Sequence, residues 1–234
     1  MRWPLAPTGM TSSGRGLRHS RDTLRRLTVG AALLAAAGSA APYTATLTPA
    51  APQEIYLQVG VGAFTNNYIN GGQPQVNTTV NSVSTTLAVG VVGNGTAQAM
   101  TTNSTAAQSY WDGYTFCTVP AQLYIGGFFR TTGATTAAAQ VTATVPAALT
   151  DTTGDSIPFS QISWTSGGNG DTTANGFLPE VFPGGKFVSG GVQTVGSMAS
   201  NTWNESCWTF SYANTVAAAA GTYSGAVLYT MTAP

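Results

Sequence analysis

The chain of 234 residues carries 8 basic and 8 acidic side chains, only 7% charged, with one His and two Cys. Six bases are Arg residues at or before Arg26, so beyond residue 40 seven acids face only Arg130 and Lys186, a net charge of −5 with no His. That remainder lacks the parts for imidazole-based triads, His-built zinc centres and basic nucleic-acid surfaces.

At the N-terminus, Arg21, Arg25 and Arg26 precede the apolar run Leu27–Ala37, and Gly38-Ser39-Ala40 sets small side chains before Ala41. A basic region, a short apolar stretch and a small-residue site form the secretory pattern. It predicts a signal peptide over residues 1–40, cut after Ala40, and a bacterial protein that is secreted or held at the cell surface. The run is shorter than the about 20 apolar residues that a spanning helix needs, so no stable membrane span is expected.

Residues 41–52 read as an N-terminal extension or strand. Tyr43, Ala45 and Leu47 alternate with Thr44, Thr46 and Thr48 between Pro42 and Pro49. Such a segment can pair along an exposed sheet edge, in another subunit or in its own domain, or it can fray as termini do.

Residues 53–234 keep one composition throughout and predict a single β-sandwich domain. Thr is the signature, at 33 of the 194 residues after Ala40, and it favours strands and turns. Side chains alternate over Glu54–Val61, Ser84–Val91, Val141–Val145 and Tyr223–Met231, the period of strands. Leu123–Arg130, Ile157–Thr165, Phe187–Val195 and Trp203–Tyr212 add four more. Ile157 and Phe159 fall out of phase with Ile162 and Trp164, which points to a bulge between them. Only Asn214–Ala220, stopped by Gly221, allows a turn or two of helix. The expected class is all-β, an immunoglobulin-like or related antiparallel β-sandwich.

Export makes the cysteines legible. Cys117 and Cys207 predict one disulfide, which closes a loop of about 90 residues and contributes at most about 4–5 kcal/mol through chain entropy; two buried thiols are the alternative.

Candidate chemistry is sparse. Asp151 and Asp155 in one polar turn, with Asp171 after another, offer oxygen ligands to calcium, but turn Asp residues also serve their own backbone and the EF-hand spacing is missing. No other cofactor is expected, and the glycine-rich segments lack the phosphate-loop pattern. Lys186 has no Ser-x-x-Lys context and reads as a solvated turn residue. The seven acids show no spacing that marks a glycosidase pair. Tyr110, Trp111 and Tyr114 present flat aromatic faces suited to sugar rings, or to core packing beside Cys117. Sequons at Asn77, Asn94, Asn103 and Asn204 matter only in a host that glycosylates them.

The C-terminal stretch Ala219-Ala-Gly-Thr-Tyr-Ser-Gly-Ala-Val-Leu-Tyr-Thr-Met-Thr232 resembles the terminal Gly-Thr-Tyr and alternating strand of secreted bacterial pilin-like and spore-coat-type sandwich proteins. The resemblance implies assembly in which one subunit's sandwich is completed by a strand from another, with Tyr43–Thr48 as the donor. The leading expectation is therefore a non-enzymatic structural or adhesive protein acting through self-assembly. A carbohydrate-binding module that contacts extracellular glycan is the alternative, and a carboxylate-dependent glycoside hydrolase comes third.

Overall fold

A computed structural model describes residues 53–131, 137–168 and 182–234. The expected signal peptide, the segment with Tyr43, Ala45 and Leu47, and Asp171 lie outside the described residues. The strands are β1 (Gln53–Val59), β2 (Val83–Ser84), β3 (Gln98–Ala99), β4 (Thr101–Thr102), β5 (Leu123–Thr131), β6 (Ala138–Val145), β7 (Ala148–Thr150), β8 (Ser156–Pro158), β9 (Ile162–Gly167), β10 (Gly185–Lys186), β11 (Gly191–Ala199), β12 (Thr202–Tyr212) and β13 (Leu228–Thr232). The protein is all-β, and every ladder between these strands is antiparallel.

A 6-stranded sheet runs β1-β5-β12-β9-β10, with β3 also paired to β12, and a 3-stranded sheet runs β11-β6-β13. The two sheets share one apolar core. Leu57, Ile125, Phe129, Trp164, Trp208 and Phe210 from the larger sheet meet Val141, Ala143, Val195, Met198 and Tyr229 from the smaller. Gly127 makes room for this contact, because a Cβ there would meet the Tyr56 carbonyl and the Met198 methyl group.

The β1-β5-β12 part of the larger sheet is buried on both faces, which the continuous burial of β5 from Leu123 to Phe129 records. Its second face can be read rank by rank from the register. Tyr124 lies opposite Cys207; Gln58, Gly126 and Glu205 form the next rank; Tyr56, Phe128 and Trp203 the next; and Glu54 opposite Arg130 ends the face. Segments between residues 61 and 117 cover it, with Phe64, Tyr68, Tyr110 and Trp111 against the aromatic rank and Ala106 and Phe116 around the cysteines.

Several expected elements differ. Over Ser84–Val91 only Ser84 is in a strand, as part of β2, and a 3-10 turn forms at Val89–Val91. The cause lies across the chain: the Asn214 side-chain amide donates to the Val91 carbonyl (2.8 Å) and accepts from Gly93 N–H (2.8 Å), wrapping this segment around itself. Asn214 is buried with φ 56, a left-handed conformation that ends any helix over Asn214–Ala220 before it begins. The phase break after Ile157 is a 3-10 turn at Phe159–Gln161 rather than a bulge. The bulge occurs instead in β11, between Thr194 and Gly196. The expected Phe187–Val195 strand is divided: Lys186 ends β10 in one sheet, Phe187 fills the core, and β11 starts at Gly191 in the other. From Tyr223 to Val227 the chain makes only a single bridge, Ser224 to Thr150, before β13 starts at Leu228.

Candidate functional site

The covered face of the larger sheet concentrates the polar chemistry of the described residues. Glu205 is fully buried on β12, where its Oε2 accepts from the Tyr124 hydroxyl (2.9 Å) and the Trp203 Nε1–H (3.0 Å). Tyr124 reaches it over Gly126, since a Cβ at 126 would run into the Tyr124 hydroxyl. Burial, and then the neighbouring Glu205 carboxylate, push the Tyr124 phenol well above its ordinary pKa. Beside it the Tyr56 hydroxyl donates to Gln58 Oε1 (2.5 Å), and Gln58 Nε2 donates to the Gly60 carbonyl (2.8 Å). These groups satisfy one another beneath the covering loops. The layer fixes geometry and does not meet solvent.

Cys117 and Cys207 form a disulfide with Cα atoms 5.4 Å apart, so the free-thiol alternative does not hold. The bridge ties the end of the 105–117 loop to the central strand. Within that loop Ser109 N–H donates to the Tyr114 carbonyl (2.7 Å) and Gly113 N–H to the Ser109 carbonyl (2.9 Å). Ser109 Oγ accepts from Trp111 N–H (3.0 Å), and Asp112 Oδ1 accepts from Tyr114 N–H (2.9 Å). Tyr68 N–H and Ile69 N–H donate to the Tyr110 and Trp111 carbonyls (2.9 and 3.0 Å), docking the loop on the Tyr68–Asn70 turn.

The three aromatic candidates separate here. Trp111 is half-buried and stacks on Tyr68 at 5.3 Å between ring centroids; Tyr110 is half-buried between Phe64 and Tyr124. Only Tyr114 is exposed, at 43%. Tyr110 also lines a cleft of about 430 Å³, together with Phe64, Asn66, Asn67, Gln108 and Ser109, and no charged side chain lines it. Comparison with protein-family models, curated proteins and solved structures finds no match.

The cleft partners are the residues that sequence reasoning missed. For Asn66 and Asn67 the signal was the amide-rich turn Asn66-Asn67…Asn70-Gly71-Gly72, some forty residues ahead of the aromatic cluster, whereas Gln108 and Ser109 stand immediately before Tyr110.

The acids are each engaged where they are described. Glu54 pairs with Arg130, whose guanidinium also donates to the Tyr68 hydroxyl (2.7 Å) and lies over the Phe128 ring. Asp151 Oδ1 accepts from Thr153 N–H and Asp155 N–H (both 2.9 Å), and the Thr153 hydroxyl donates to its other oxygen (2.7 Å). The Thr153 hydroxyl bond, foremost, holds the Asp151 carboxyl below its ordinary pKa. This is the turn-capping role of Asp. Among the described residues no group of three or more His, Cys, Asp or Glu side chains is placed to hold a metal ion. Lys186 is exposed at the end of β10. Of the sequon asparagines, Asn204 is buried, and the Asn77 side-chain amide donates to the Val61 carbonyl (2.6 Å). Among the described residues no helix is long and apolar enough to cross a membrane.

Proposed function

We propose that this is a secreted or cell-surface, non-enzymatic structural or adhesive protein, built on an immunoglobulin-like or related sandwich and acting through β-sheet-mediated assembly. The observation that carries this reading is the contrast among sheet edges. A regular unpaired edge invites another strand, whereas short or bulged edges resist one. β10 is 2 residues long and β11 carries a bulge, so these edges are blunted. β1, with 7 residues, and β13, with 5, are regular, and each pairs on one side only among the described residues. They lie in contact with each other along the same side of the core. The alternating segment Tyr43–Thr48 precedes β1 by four residues in sequence, and a strand of that pattern can add to a regular sheet edge.

Other features agree with this reading. The disulfide suits an oxidising compartment, as the expected signal peptide requires. The described carboxylates are taken up by structural bonds instead of being held ready for proton transfer. The C-terminal likeness to pilin-like and spore-coat-type proteins supplies the same mode of assembly. A synthetic peptide of residues 41–52, added to protein lacking those residues, tests it: saturable binding with a gain of β signal in the infrared amide band supports strand addition. No binding at any peptide concentration counts against it.

A further inference from the structure

We propose that the cleft between the Phe64–Asn67 segment and the 105–115 loop binds an uncharged oligosaccharide. This goes beyond assembly and does not depend on it. The cavity, about 430 Å³, falls within the range of small-molecule sites, about 300–1,000 Å³. Its lining combines aromatic side chains, Phe64 and Tyr110, with the amides of Asn66, Asn67 and Gln108. A sugar ring needs both kinds of surface: apolar C–H faces that pack on aromatic carbon, and hydroxyls that each donate and accept. A side-chain amide supplies a donor and an acceptor together.

The polar atoms are not all consumed by the fold. Ser109 Oγ is occupied by Trp111 N–H, Asn67 Oδ1 accepts from Asn70 Nδ2 (2.5 Å), and Asn66 Oδ1 accepts from Asn67 N–H (2.9 Å) while its Nδ2 makes a long bond to the Asn70 carbonyl (3.4 Å). Gln108, by contrast, is exposed and its amide makes no hydrogen bond among the described residues. Asn67 Nδ2 extends over Gly113, where a Cβ would lie 2.8 Å from it, and Gly113 has φ 89. Glycine there lets the amide reach across the cleft floor. A lining without charge gives phosphate or carboxylate ligands no ionic partner, which selects neutral sugars over acidic ones.

Both walls are set before a ligand arrives. Gln75 N–H to the Ala63 carbonyl (2.8 Å) and Thr65 N–H to the Gln73 carbonyl (3.1 Å) fix one, and the bonds within the 105–115 loop and the Cys117–Cys207 bridge fix the other. Preorganised walls lower the ordering cost of binding.

The test is calorimetric titration of the full chain with neutral glucan, xylan, mannan and N-acetylglucosamine oligomers, and with polygalacturonate and heparin fragments as acidic comparators. The expected result is saturable binding of at least one neutral oligomer, weakened by about tenfold or more in Gln108→Ala and in Asn66→Ala. Circular dichroism of both variants should match the parent, since both side chains are exposed and the two bonds that Asn66→Ala removes lie within its own turn, and Val192→Ala on the other sheet should leave affinity unchanged. Absence of binding by every neutral oligomer, tighter binding of the acidic fragments, or full affinity in the Gln108→Ala, Asn66→Ala double variant would overturn the proposal.

Discussion

Glu205 shows how much of this fold turns on single side chains. A carboxylate fully withdrawn from water persists only where donors replace the lost hydration, and here they include the Tyr124 hydroxyl and the Trp203 indole. Replacing Glu205 with Leu orphans both donors at about 1–3 kcal/mol each. Urea denaturation should therefore show Glu205→Leu destabilised by about 2–5 kcal/mol, with Glu205→Gln, which keeps an acceptor, losing less. The tyrosines give a second readout. Burial holds the Tyr229 phenol well above its ordinary value, and burial with the adjacent carboxylate does the same for Tyr124. Unfolded tyrosine ionises near pH 10. Above that pH the folded state retains protons that the unfolded state has lost, so stability is complete below about pH 10 and falls as pH climbs toward the raised folded values. Denaturation midpoints measured from pH 8 to 11.5 should be level and then decline, and Tyr229→Phe should flatten the decline.

Among the elements, local alternation and long-range pairing carry different information. β5, β6 and β12 were legible because their apolar stripes coincide with ladders on both sides. Ser84–Val91 has the same alternation without such a ladder, and Val89 ends 89% exposed. What bends that segment is Asn214, over 120 residues away, which no local pattern announces. Asn214→Ala removes those bonds and places a Cβ-bearing residue with no polar side chain at φ 56, so it should cost about 2–4 kcal/mol in unfolding free energy. The candidate site divides the same way. Tyr110 and Trp111 stood out by composition, whereas Asn66 and Asn67 join Gln108 and Tyr110 only when the 61–75 and 105–117 segments fold over one face of the sheet. The Cys117–Cys207 bridge secures that covering layer. Cys117→Ser with Cys207→Ser should lower stability by about 2–5 kcal/mol, and reductant should weaken the parent by a similar amount but leave the double variant unaffected.

At the level of the whole molecule, two antiparallel sheets close around one core, and their regular edges β1 and β13 meet on one side. The blunted edges β10 and β11 are elsewhere in the order, so an added strand has one preferred side from which to approach. Composition already announced the all-β class, through Thr-rich alternation and the near absence of helical segments. It did not announce which edges stay regular, because that depends on a bulge and on strand lengths set by tertiary pairing. Light scattering coupled to size exclusion, with electron microscopy of the same fractions, measures the consequence most directly. The protein should elute as oligomers or filaments that collapse to monomer when residues 41–52 are deleted; a monomer that persists at high concentration, with or without those residues, would contradict assembly through the sheet edges.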